Sequence, residues 1–92
     1  MNNYILVDLR TFSVITTLYI VRDNHIKYNV IAEAGEDLAS EIYSLCQKQN
    51  INKVIFAGYK NFTEKYARDF MTKYDNNAIE IEFLEKGEPV IL

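Results

Sequence analysis

The sequence predicts an α/β fold built on a five-stranded mixed sheet, and three observations carry that prediction. Residues 4–9 (Tyr-Ile-Leu-Val-Asp-Leu) and 53–57 (Lys-Val-Ile-Phe-Ala) are short apolar runs, as in strands covered on both faces. Residues 25–32 and 78–84 alternate apolar with polar side chains, as half-solvated edge strands do. Between these stretches the apolar period twice changes to helical spacing.

The elements follow in order. Residues 4–9 make the first strand, and Arg10-Thr11-Phe12 a short connection. Residues 13–21, rich in Val, Ile, Thr and Tyr, make the second. Taken together, residues 4–21 have nearly the length of a membrane span, but Asp8 and Arg10 interrupt the run and Ser13, Thr16 and Thr17 follow, so it reads as two strands. Arg22-Asp23-Asn24 forms a hairpin loop, with Asn24 suited to a left-handed conformation. In residues 25–32, Ile26, Tyr28 and Val30 are expected on one face and His25, Lys27 and Asn29 on the other.

Gly35-Glu36-Asp37 opens the first helix, its acids placed where the helix dipole favours them. Leu38, Ile42 and Leu45 recur at helical spacing beside Cys46, and Asn50 ends the helix. The fourth strand, 53–57, stops at Gly58. Asn61-Phe62-Thr63-Glu64 has the form of a capping box, with Asn61 as N-cap and Glu64 reaching back to it. Phe62, Tyr66, Phe70 and Tyr74 predict an aromatic stripe buried in the core, the tyrosine hydroxyls at its rim. Asp75-Asn76-Asn77 breaks this helix, and residues 78–84 point Ile79, Ile81 and Phe83 inward with Glu80 and Glu82 outward.

The order is thus β-β-β-α-β-α-β. Short loops join the first three strands into an antiparallel meander, and helical crossovers make the later strands parallel. With the doubly buried strands central and the alternating ones at the edges, the sheet order is 3-2-1-4-5, both helices packing on it. Residues 1–86 form one domain, and residues 87–92 an apolar tail.

The totals limit the chemistry. A chain of 92 residues with net charge −3 and a pI near 5.0 offers no basic field for nucleic acid phosphates, so protein is the expected partner. The lone Cys46 rules out a disulfide-stapled scaffold and suits a reducing, cytoplasmic compartment. No signal peptide is visible at Met1-Asn2-Asn3. The richness in Asn, Ile, Lys and Tyr suits an AT-rich genome such as a phage's, which would place the protein in a host cytoplasm or a virion.

This order of elements resembles that of the ribonuclease H-like superfamily and of the related half-domains of actin-like ATPases. In the nucleases of that superfamily the first strand carries a metal-binding Asp, and Asp8 in Leu6-Val7-Asp8-Leu9 matches its place. The resemblance implies Mg²⁺ or Mn²⁺ held by several carboxylates for attack on a phosphodiester. The first helix would supply Glu36, Asp37 or Glu41. The fourth strand, ending Phe56-Ala57-Gly58, supplies no acid, and the sequence leaves no room for the last one on a helix after the fifth strand. The implied site is half built. Against the actin-like pattern, Asp8-Leu9-Arg10-Thr11 lacks the glycine turn, and only Phe56-Ala57-Gly58-Tyr59 loosely matches the strand-to-glycine step that borders the nucleotide.

Bland readings stand beside the sharp ones. Asp8 is expected to bond Arg10 or turn amides. His25 has no second His or Cys at ligand spacing, and Cys46 packs as a small apolar residue. Tyr59 and Lys60 fall near the carboxyl ends of the parallel strands, where ligands of α/β sheets bind. Glu80, Glu82, Glu85 and Glu88 protect an edge strand from pairing or meet a basic partner. Pro89-Val90-Ile91-Leu92 either tucks onto the domain or adds to a neighbouring subunit.

The reading that results is a non-catalytic protein-binding or assembly module, self-associating, without cofactor, with Val90, Ile91, Leu92, Tyr59 and Lys60 as partner-binding residues. The alternatives are a minimal Mg²⁺- or Mn²⁺-dependent nuclease using Asp8 with Glu36 or Glu41, and a nucleotide-binding half-domain that pairs with another chain.

Overall fold

The structure is a computed structural model that describes residues 3–10, 14–33, 35, 37–74 and 78–85. Its elements are β1 (Tyr4–Leu9), β2 (Ile15–Arg22), β3 (His25–Glu33), α1 (Leu38–Gln49), β4 (Lys53–Gly58), α2 (Lys60–Lys73) and β5 (Glu80–Glu85). They form one mixed sheet in the order β3-β2-β1-β4-β5, the order the sequence predicts. The β1–β2 and β2–β3 pairs are antiparallel, and the β1–β4 and β4–β5 pairs parallel.

The register explains why β1 is central. Ile5 lies beside Ile20 and Val54, and Val7 beside Leu18 and Phe56. On that face they join Leu38, Ile42 and Leu45 of α1 and Ala67 and Phe70 of α2 in the larger core. Both helices therefore pack on the same side. On the other side Tyr4, Leu6, Val21, Ile55 and Ala57 form a smaller apolar cluster edged by Tyr19, Ile26 and Leu84, with no helix residue in it. A strand between these layers has to be apolar on both faces, and β1 is buried along its length except at Asp8, its one charged residue.

Four local details differ from the sequence reading. In β3 a bulge leaves Lys27 unpaired, since Ile20 faces Tyr28 while Val21 faces Ile26. Ile26 consequently packs with Val21 on the helix-free face, and the single alternation expected through 25–32 is broken. Asp23 as well as Asn24 takes a left-handed conformation, with φ of 53° and 65°, as a tight hairpin twisted with its strands requires. The helix α2 begins at Lys60, so Asn61 lies inside its first turn and is not the N-cap. There the Tyr59 carbonyl accepts from both Phe62 N–H and Thr63 N–H at 3.0 Å. Finally, Phe83 does stack against Phe56, at 6.3 Å between centroids, yet remains 46% exposed because β5 is the sheet edge.

The aromatic stripe of α2 is graded. Phe70 is fully buried, Phe62, Tyr66 and Tyr74 half-buried. At the other end of α1, Asn50 caps the helix in a left-handed conformation, and Arg22 donates to the Gln49 carbonyl, a cation placed at the negative end of the dipole.

Candidate functional site

The carboxyl ends of β1 and β4 place Asp8, Arg10, Tyr59 and Lys60 at the same end of the sheet, because Leu9 and Gly58 are register partners. Residues two apart on extended chain share a side. Asp8 and Arg10 do so, and the guanidinium grips the carboxylate in a fork: Nε donates to Oδ1 and Nη2 to Oδ2, both at 2.8 Å. The Arg10 backbone N–H also donates to Oδ1, at 3.1 Å. The Thr16 hydroxyl donates to the main-chain carbonyl of Asp8, which ties the strand end to β2.

The electrostatics follow from this geometry. Partial burial is the largest influence on Asp8 and pushes its pKa up, but the side-chain bond, the backbone bond and the charge of Arg10 together outweigh it and hold the carboxyl below its ordinary range. Arg10 is correspondingly pushed up, first by its hydrogen bond to Asp8. Both carboxylate oxygens are thus already engaged by a cation, and a metal ion at Asp8 would have to displace the guanidinium.

The other acids do not converge on Asp8. Ile5, Val7 and Leu9 face the helices, so Asp8 points to the opposite side of the sheet from Glu41 on α1. Asp37 precedes the same helix and is exposed, and Glu36 lies outside the described residues. Among the described residues no group of three His, Cys, Asp or Glu side chains could hold a metal ion.

Tyr59 is 43% exposed at the N-cap position of α2. Lys60 is exposed too, its Nζ lying 3.8 Å from Glu64. His25 is exposed at the start of β3, opposite Arg22. Cys46 is buried in the main core, and burial pushes its thiol up to about 11, which keeps it protonated and unreactive at neutral pH. Val90, Ile91, Leu92 and Glu88 lie outside the described residues.

One charge cluster escapes the sequence reading. Lys53 pairs with Glu82 and stands 3.7 Å from Glu80, its register partner on β5. The Glu82 hydrogen bond is the main influence that raises the Lys53 pKa. The acids of this edge are therefore partly answered from within the sheet. The signal lies in matching the first residues of the two parallel strands.

A cleft of about 310 Å³ opens at the opposite end of the sheet, between Gln47, Asn50, Ile51 and Ile79, and among the described residues no charged side chain lines it. Among the described residues no helix is long and apolar enough to cross a membrane. No family model matches this chain, and none of the curated proteins matches it.

Proposed function

We propose that this chain is a non-catalytic protein-binding module, built on a sheet that resembles the ribonuclease H-like domains and working through assembly. The observation that supports this reading is the fork between Arg10 and Asp8. The one acid that matches a nuclease position is neutralised by a neighbour two residues away, and the first-helix acid in the described chain, Glu41, sits across the sheet from it. Two divalent cations need several oxygen ligands converging from one side. A helix-free face carrying Tyr4, Leu6 and Ile55, together with exposed Ile15 and Ile31 beside it, supports contact with protein surfaces.

Calorimetric titration with Mn²⁺, run beside light scattering on the same sample, tests this. The expected result is no metal binding and a species heavier than one chain. Mn²⁺ binding that disappears in Asp8→Asn would overturn the reading in favour of a metal-dependent enzyme.

A further inference from the structure

The two edges of the sheet are chemically different. At β5, Glu80 would meet the Glu82 of the other copy, and Glu82 its Glu80, if two such edges paired antiparallel about Ile81, and like charges directly opposite repel. At β3 the situation is reversed. It is the longest strand, and among the described residues nothing pairs with its outer edge. The bulge leaves Lys27 without a partner on β2 and residues 28–33 in unbroken register, and the stretch from Lys27 to Glu33 centres on Val30. Lys27 and Glu33 are exposed at its two ends, and neither makes an ion pair among the described residues. They lie three residues either side of Val30 and have opposite charges.

We propose that β3 pairs with β3 of a second copy, antiparallel about a two-fold axis at Val30, so that two sheets become one. This rests on the assembly reading above and names the partner. In that register Lys27 stands opposite Glu33 of the other copy, twice, and Asn29 stands opposite Ile31. Ile31 is 69% exposed and Tyr28 43% in the single chain, and the pairing covers both. Residues 29, 31 and 33 share a face by strand periodicity, and Lys27, in the bulge at the end of that row, turns its long side chain to Glu33 of the other copy in the proposed pairing. The two-fold makes the contact self-complementary and closed, which stops it at a dimer.

Sedimentation equilibrium on the full chain tests the pairing with charge exchanges at two exposed positions. The wild type is expected to dimerise. Lys27→Glu and Glu33→Lys each turn two attractive cross-strand pairs into two repulsive ones, and each should raise the dimer Kd about tenfold or more. The double exchange K27E/E33K restores opposite charges and should return the Kd to within about threefold of wild type. Circular dichroism melts at concentrations well below the dimer Kd should be unchanged in all three, since neither side chain is buried in the single chain. A wild type that stays monomeric to about 1 mM overturns the proposal. So does a dimer indifferent to the single exchanges, or one that the double exchange fails to rescue, and in those two cases the assembly reading stands while this interface falls. Mn²⁺ binding through Asp8 would instead remove the assembly reading itself.

Discussion

Gly58 and Leu9 are so closely apposed at the ends of β4 and β1 that a Cβ on Gly58 would lie 2.5 Å from the Leu9 carbonyl oxygen and 2.7 Å from its carbon. The glycine also has φ of +146°, a conformation that side chains rarely adopt. Both effects act against Gly58→Ala, and the clash is with backbone, which cannot swing away. The expected loss is about 2 kcal/mol or more. In a domain of this size each kcal/mol lowers the melting temperature by roughly 4–8 °C, so a fall of about 10 °C or outright failure to fold should be seen by scanning fluorimetry. Gly35→Ala is the control. Nothing lies within 4 Å of a Cβ there, and its melting temperature should match wild type.

The Asp8–Arg10 fork makes stability depend on acid in a definite direction. The folded-state pKa of Asp8 lies below its unfolded value, so the contribution is fully present above the unfolded carboxylate value of about 3.9 and is lost as pH falls through the lower folded value. Arg10→Ala removes the side-chain bond and the charge that lower this pKa, keeps the backbone N–H bond, and leaves burial, which raises it. The Asp8 carboxyl carbon, followed by NMR, should then titrate higher than in the wild type, where the group lies below its ordinary range. The variant should be about 1 kcal/mol less stable at pH 7, with the deficit shrinking as pH falls through the variant's higher Asp8 pKa towards the wild type's lower one. An Asp8 titration that stays low in Arg10→Ala would show that some other donor holds the carboxylate.

Asn50 ends α1 with φ 54° and ψ 47°, its backbone N–H directed at the carbonyls of Cys46 and Gln47. A left-handed residue with a Cβ is strained unless its side chain compensates, as Asn does and Ala does not. Asn50→Ala should therefore lose about 1 kcal/mol, while Asn50→Gly should stay within about 0.5 kcal/mol of wild type. The order of the urea midpoints, with Gly and Asn close together and Ala lower at equal slope, checks the cap.

These elements differ in how far their sequence betrays them. The sheet order is legible because burial on two faces demands apolar residues at every position, and residues 4–9 and 53–57 carry that demand openly. The Asp8–Arg10 pair is legible for a similar reason, a two-residue spacing on extended chain. The separation of Asp8 from Glu41 is not, because β1 is apolar on both sides and its own residues do not say which side the helices take. The bulge at Lys27 is equally hidden: the local alternation is regular, and the extra residue is a property of how β3 fits β2. At α2, Asn61 has the chemistry of a cap, but the chain already turns at Gly58, and the helix starts where that turn leaves the backbone. Lys53 answers Glu80 and Glu82 only once the parallel register of β4 and β5 is set.

Tyr74 joins α2 to α1 by two contacts and packs against its own helix by a third, and its variants should separate them. Its ring lies parallel to that of Tyr43, with centroids 4.2 Å apart and planes within 6°, and tilts against Phe70 at 5.8 Å. Its hydroxyl and that of Ser40 on α1 share a hydrogen bond of 2.9 Å. Tyr74→Phe keeps both ring contacts and removes only this bond. Ser40 is half-buried and can turn to water, so the loss should be about 0.5–1 kcal/mol. Tyr74→Ala removes the stack as well and leaves Tyr43 and Phe70 without a partner over part of their surface, a loss of about 2–3 kcal/mol. The double variant Tyr43→Ala/Tyr74→Ala should be more stable than the sum of its single losses implies, by about 1 kcal/mol, because the second truncation has no stack left to break. Thermal melts of the four variants measure that coupling. Strict additivity would mean that the stacked rings contribute only their separate burial, and that α1 and α2 are held together by the apolar residues beneath them.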